Sequence, residues 1–369
     1  MIAMATRKLA AVLCCSALLA TGCATSTKTS SPQFRQLKAM ALSVPDGKVV
    51  AAWTLPNDLY LSQYGAQRVG DYLVFGLNGD PDQKLPPSDV RGSFGVIEMN
   101  TGRLRMLEAQ LPGAWTSVIT GRNGYVVSTE TRPARTSCTY GPGHCTEWLI
   151  AATSLASGST QVVDRGVTST ESVMIPRVSS GPLGFAWQRP LSTGGTEVMS
   201  WHPGLDRPEL VGRATGEGQL AGNNVGWYLA TMWGHGPTLL DVAKASVIKA
   251  PAIEDLISGA GGLAFATPSL SEIEAAPGTV DLYVGQALGS RLVGHKVAQV
   301  QNLYGFAWAD SRHLLVATPR GTSLVPTDGG SIIPLPAMPG VTVQASDTGA
   351  VIAVLAEDAS VGLAVVEAA

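Results

Sequence analysis

This sequence predicts an all-β chain built from repeats and closed on itself, and three observations carry that expectation. Charged residues make up only 14% of the 369-residue chain, while Gly (42) and Pro (23) are abundant, a balance that favours short strands and tight turns over long solvent-facing helices. One unit recurs along the chain at intervals of about 40 to 55 residues: a short apolar strand, a turn containing Gly, Asp or Asn, and a second apolar strand. The two ends of the repeating region each carry only part of such a unit, so the parts are expected to pair.

The N-terminus precedes the repeats. Arg7 and Lys8 open a secretory pattern, and the apolar run from Leu9 to Ala20 is too short to span a hydrocarbon core of roughly 30 Å as a helix. Residues 1–22 are therefore expected to be a signal peptide that is removed. The segment Leu19-Ala20-Thr21-Gly22-Cys23 resembles the bacterial lipobox, with Ala20 where Leu is commonest. That resemblance implies that Cys23 carries a diacylglycerol and becomes the first residue of the mature chain; an ordinary signal peptide is the alternative. Residues 24–32, ATSTKTSSP, are small and polar, so 23–34 is expected to be a flexible tether. No second apolar run is long enough to cross a bilayer. The expected location is the extracytoplasmic side of the cell membrane, held by lipid alone.

The repeats run from about residue 35 to 369. Outer hairpins are expected at Ala39 to Trp53, Gly95 to Leu107, Trp148 to Val163 and Glu197 to Val211, then at Thr238 to Pro251, Asp281 to Gly294 and Thr322 to Pro336. Between them lie strand-like segments of a second kind: 70–76, 123–130, 181–189, 223–231, 261–267, 306–318 and 345–355. One inner pair plus one outer hairpin makes a four-stranded blade, and seven sets of about 50 residues fill the length. The last blade has room for one further strand, Val361 to Val366, and the hairpin near Ala39 to Trp53 lacks an inner pair. Joining the two closes a seven-bladed β-propeller and removes two exposed edges. In this pattern the chain resembles WD-repeat and related bacterial propellers, although no blade carries their Gly-His and Trp-Asp signature. Six or eight blades are the neighbouring counts. A sandwich rarely needs seven similar units, and a β-helix repeats at shorter periods.

Five cysteines are present. Cys14 and Cys15 leave with the signal, and Cys23 takes lipid. Cys138 and Cys145 remain in a loop containing Gly141-Pro142-Gly143, where an oxidising compartment favours a local disulfide; two free thiols are the alternative. Only His144 is near enough to add to a zinc set, so no metal is expected, and none of the five histidines shows ligand spacing. There is no nucleophile elbow, no phosphate-cradling loop and no Asp-rich calcium loop, so no catalytic residue and no cofactor is expected. His313 is read as a blade residue and Asp310 as the cap of a turn. In ASDTGAV (345–351), Asp347 and Gly349 form a turn rather than a sialidase-type Asp box. PAIEDLIS, with Glu254 and Asp255, reads as a short helical turn between blades.

Two aromatic loops remain as candidate ligand contacts. MWGHGP offers Trp233 and His235, and TYGPGHCTEW offers Tyr140 and His144. Trp148 and Trp227 are read as wedges between blades, and for Trp233 wedge and ligand contact stay open. A formal net charge of −3 gives no reason to expect nucleic acid as a partner. The expected function is a binding scaffold for an envelope protein or extracellular ligand. The alternative is a propeller enzyme, a lyase or glycoside hydrolase, acting on envelope or extracellular polymers.

Overall fold

The computed structural model describes residues 34–56, 59–78, 93–134, 145–169, 175–191, 195–231, 238–251, 253–259, 261–268, 278–337, 349–355 and 361–369. Every element among them is a β-strand. The N-terminal segment supplies β1 (Phe34–Gln36), β2 (Lys38–Ala39) and β3 (Gly47–Thr54). Blade 1 follows as β4 (Tyr60–Val69), β5 (Tyr72–Asn78), β6 (Ser93–Glu98) and β7 (Arg103–Glu108). Blade 2 is β8 (Trp115–Arg122), β9 (Tyr125–Pro133), β10 (Cys145–Ser154) and β11 (Thr160–Ser169). Blade 3 is β12 (Ser179–Gly181), β13 (Gly184–Pro190), β14 (Thr196–Trp201) and β15 (Glu209–Ala214). Blade 4 is β16 (Gly218–Gly222), β17 (Trp227–Thr231), β18 (Thr238–Asp241) and β19 (Ser246–Ile248). Blade 5 is β20 (Asp255–Gly259), β21 (Gly262–Pro268), β22 (Thr279–Leu288) and β23 (Arg291–Gln301). Blade 6 is β24 (Gly305–Trp308), β25 (His313–Thr318), β26 (Gly321–Pro326) and β27 (Ile333–Leu335). The chain ends with β28 (Ala350–Leu355) and β29 (Val361–Ala368).

Seven antiparallel sheets result, and the seventh joins the two ends in the order β2-β3-β29-β28. Leu363 stands opposite Trp53 and Ala364 opposite Ala52, so blade 7 draws β28 and β29 from the C-terminus and β3 and β2 from the N-terminus. This is the closure that the incomplete units imply. All seven predicted outer hairpins lie in the outer halves of blades. One element has no sequence signal: β1 adds a fifth strand to blade 1, antiparallel to β7, with Phe34 opposite Arg105. The Arg103 guanidinium lies 4.0 Å from the Phe34 ring centroid, and the Gln36 amide donates to the Thr101 carbonyl at 2.7 Å.

The core lies between blades. Each of the seven junctions between neighbours holds its own cluster of buried apolar side chains. Middle strands are covered on both faces, so they read as unbroken buried runs: β9 is buried from Val126 to Thr131. Outer strands are half-exposed, as in β23. Where blades 1 and 7 meet, Gly102 adopts φ 69° and lies under the Trp53 ring; a Cβ there would come within 2.6 Å of it.

Antiparallel order gives the ring two ends. In blades 1 to 6 inner strands begin at one end, where the second and third strands are also joined; this is the loop face. Both hairpin turns of these blades lie at the other end, the turn face, and there the Gly349 amide at the start of β28 donates to the Ala309 carbonyl. Contacts between inner strands join residues at matching depth: the Gln67 amide donates to the Gly121 carbonyl at 2.7 Å, and the Leu256 amide donates to Gln219 Oε1 at 2.6 Å. At the turn face Asp310 Oδ1 accepts the amides of Arg312 (2.7 Å) and His313 (2.9 Å), the capping role expected of it. Gly349 has the expected positive φ, 126°.

Candidate functional site

The inner strands of blades 1 to 6 converge on the ring axis. Ser180 of β12 is the junction. The Thr120 hydroxyl of β8 donates to Ser180 Oγ at 2.9 Å, and the Ser258 hydroxyl of β20 donates to the Ser180 carbonyl at 2.9 Å. The second bond bridges blades 3 and 5 past blade 4. The cavity left beside these bonds measures about 170 Å³. Its described lining is hydroxyl, amide and aliphatic: Gln67, Thr120, Ser179 and Ser258 alternate with Ile119, Leu220 and Ile257. No ionisable side chain is among those lining residues, so they supply no general acid or base.

A larger cavity of about 310 Å³ opens at the loop face of blade 5. Glu254, Asp255, Asn302 and Tyr304 line it with Ala266 and Val280. Burial pushes the Asp255 carboxyl above its ordinary value, opposed by hydrogen bonds from Gln219 and the Leu256 amide, and the Glu254 charge adds to the rise. Here the sequence reading needs correction. PAIEDLIS is no helical turn: Asp255 starts the inner strand β20, and the Glu254 amide donates to the Ala266 carbonyl at 2.9 Å. The acidic pair hid an alternation, Leu256 buried and Ile257 half-buried, that is too short to register as a strand.

A second carboxyl raised by burial, Glu130 in blade 2, holds structure instead. Its Oε2 accepts the Leu111 amide at 2.7 Å, fastening the connection from blade 1 to blade 2. In blade 3, Gln188 does the same work without charge, donating to the Gly216 carbonyl at 3.2 Å and accepting the Gly218 amide at 3.2 Å. Neither residue carried a sequence signal. Among the described residues no group of three His, Cys, Asp or Glu side chains is placed to hold a metal.

No family model matches this sequence, and no curated protein matches it. Solved structures do. A chain of the mitotic checkpoint complex aligns with a TM-score of 0.51 at 9% identity, over 89% of this chain and 98% of that one. The WD40 domain of SCAP from fission yeast aligns at 0.40 and 10% identity, over 91% of this chain and 97% of that one. An oligogalacturonate lyase from Vibrio parahaemolyticus aligns at 0.39 and 10% identity, over 90% and 98%. At such identities the likeness is one of fold, and a fold alone assigns no activity.

Of the residues singled out from sequence, Cys23, Cys138, Tyr140, His144, Trp233 and His235 lie outside the described residues. Cys145 is buried at the start of β10. The ends of strands that flank the two aromatic loops are described: Pro133 and Cys145 for one, Thr231 and Thr238 for the other. Both loops join second to third strands, so both spring from the loop face, on blades 2 and 4. Trp148 and Trp227 are the wedges expected. Trp148 packs with Phe185 and Trp187 across the junction of blades 2 and 3, and Trp227 with Ala186 and Val198 across that of blades 3 and 4. His313 is a blade residue, its Nδ1 2.9 Å from Asp310 Oδ2.

Proposed function

We propose that this propeller is a binding module of the bacterial cell envelope, tethered through a lipid on Cys23 and receiving its partner on the loop face. The observation that supports a binding role is the tying of the axis: hydroxyl bonds cross it between blades 2, 3 and 5, beside a cavity whose described lining holds no ionisable group. Recognition then falls to the connections on the loop face, where Tyr140, His144, Trp233 and His235 supply aromatic and imidazole groups. The partner is an envelope protein or an extracellular ligand. The tether is tested by metabolic labelling with an alkyne fatty acid. Wild-type protein takes the label and sediments with membranes, while the Cys23→Ser protein does neither; Cys23→Ser protein that stays membrane-embedded after high-salt washing overturns the anchor.

One observation favours the enzyme reading: Asp255, a carboxyl raised by burial, lines a cavity of about 310 Å³ beside Glu254, the environment that acid catalysis of glycan cleavage uses. Cleavage of envelope or extracellular glycans by the purified protein, abolished in Asp255→Asn, would put that reading first.

A further inference from the structure

Blades 4 and 5 present an unusual sector of the turn face. Val225, in the first turn of blade 4, is 74% exposed, and Val247, just past its second turn, is 64% exposed. Leu288 and Val293 flank the corresponding turn of blade 5 at 58% and 52%. Main-chain bonds weld the two blades here: the Lys249 amide donates to the Ser290 carbonyl at 2.8 Å, and the Leu292 amide donates to the Lys249 carbonyl at 2.9 Å. Lys249 and Arg291 therefore stand side by side, both exposed, with no ion-pair partner among the described residues. Across segments 223–226, 241–249 and 288–296 the sequence holds one carboxylate, Asp241, which is buried and bound to Lys244 at 2.6 Å. Lys296 is likewise satisfied, by Asp281 at 2.7 Å. The sector is thus aliphatic and cationic together, with no exposed negative charge in those segments.

We propose that this sector docks on an anionic phospholipid bilayer, with Val225, Val247, Leu288 and Val293 entering the interfacial layer and Lys249 and Arg291 meeting lipid phosphates. The charge decides the occupant. Exposed valines alone would suit any apolar partner, whereas unpaired cations among them match a surface that is apolar beneath and negative above. The inference rests on the proposed membrane tether for its setting.

The test uses the mature chain with Cys23→Ser, so that no lipid contributes, sedimented with vesicles of phosphatidylglycerol and phosphatidylcholine or of phosphatidylcholine alone. Binding is expected to the anionic vesicles and to be lost at high salt. A basic side chain at an anionic surface is worth roughly fivefold in affinity, so Lys249→Gln with Arg291→Gln should weaken binding about thirtyfold at unchanged melting temperature. Val225→Ser with Val247→Ser should weaken it further. Equal binding to both vesicle types, no binding to either, or binding indifferent to the double substitution overturns the proposal. Self-association that the same substitutions abolish, without vesicle binding, also overturns it and assigns the sector to a second copy. Failure of the tether reads out separately, as Cys23 unlabelled in cells.

Discussion

Asp164 offers a sharp test of how neighbouring blades hold each other. It sits on β11 at the outer edge of blade 2, and its carboxylate reaches into blade 3. Oδ2 accepts the Trp187 indole N–H at 2.8 Å and Arg189 Nε at 3.1 Å, while Oδ1 accepts an Arg189 terminal nitrogen at 2.8 Å. Trp187 is fully buried, so Asp164→Ala strands an indole donor with no route to water, at a cost of about 1–3 kcal/mol. Arg189 is one-third exposed and also lies 3.7 Å from Glu197, so losing this ion pair adds no more than about 1 kcal/mol. Asp164→Ala should therefore cost about 1–4 kcal/mol in urea unfolding. Melting should fall by roughly 1–6 °C, since unfolding entropy near 2.1 cal/mol/K per residue makes each degree worth about 0.7 kcal/mol in a chain of this length. Asp164→Asn keeps an acceptor for the indole and should recover about half of the loss. An alanine variant within 0.5 kcal/mol of wild type, or an asparagine variant as unstable as alanine, would refute the reasoning.

Three further expectations follow from the same kind of contact. Gly102→Val forces a Cβ onto the Trp53 ring at a φ of 69°, so it should loosen the junction of blades 7 and 1 by about 1–3 kcal/mol, read as lower melting temperature and faster proteolysis at the N-terminal strands. Glu130 has a carboxyl raised above 4.5 in the fold by burial, so its contribution to stability is complete below that value and is lost as pH rises through the folded-state value. Melting of wild type should gain on Glu130→Gln as the solution is acidified from neutrality, and a pH-independent difference would exclude the effect. A Cys138–Cys145 staple closing about eight residues should contribute about 2.5 kcal/mol to its loop; mass spectrometry of non-reduced peptides finds the linked pair, and quantitative alkylation of both thiols without reductant rules it out.

The fold was legible where alternation and turn chemistry coincide. Segments such as Gly95 to Leu107 carry two apolar strands around an Asn-Thr-Gly turn, and the half-units at the two ends implied their own pairing. β1 was not legible, because Phe-Arg-Gln is short and polar and gains its place only from an edge more than sixty residues away. The axis was illegible for a related reason. Ser180 and Ser258 are 78 positions apart, and an ordinary serine gives no sign that its hydroxyl will cross the ring. Asp255 misled because carboxylates are poor strand openers in isolation; here the Gln219 amide and the Leu256 N–H receive it. Trp148 and Trp227 were read correctly as wedges since each lies within an apolar strand, whereas Trp233 lies among glycines with no local core.

Trp233 is accordingly where the proposed binding role is tested most directly. Once a cognate ligand is in hand, calorimetric affinity and thermal melting should be measured for wild type and Trp233→Ala side by side. A loop-face contact predicts affinity weakened roughly thirtyfold, as for an interface tryptophan worth about 2 kcal/mol, with melting nearly unchanged. Unchanged affinity together with a stability loss of about 3–5 kcal/mol would make Trp233 another wedge and contradict the assignment.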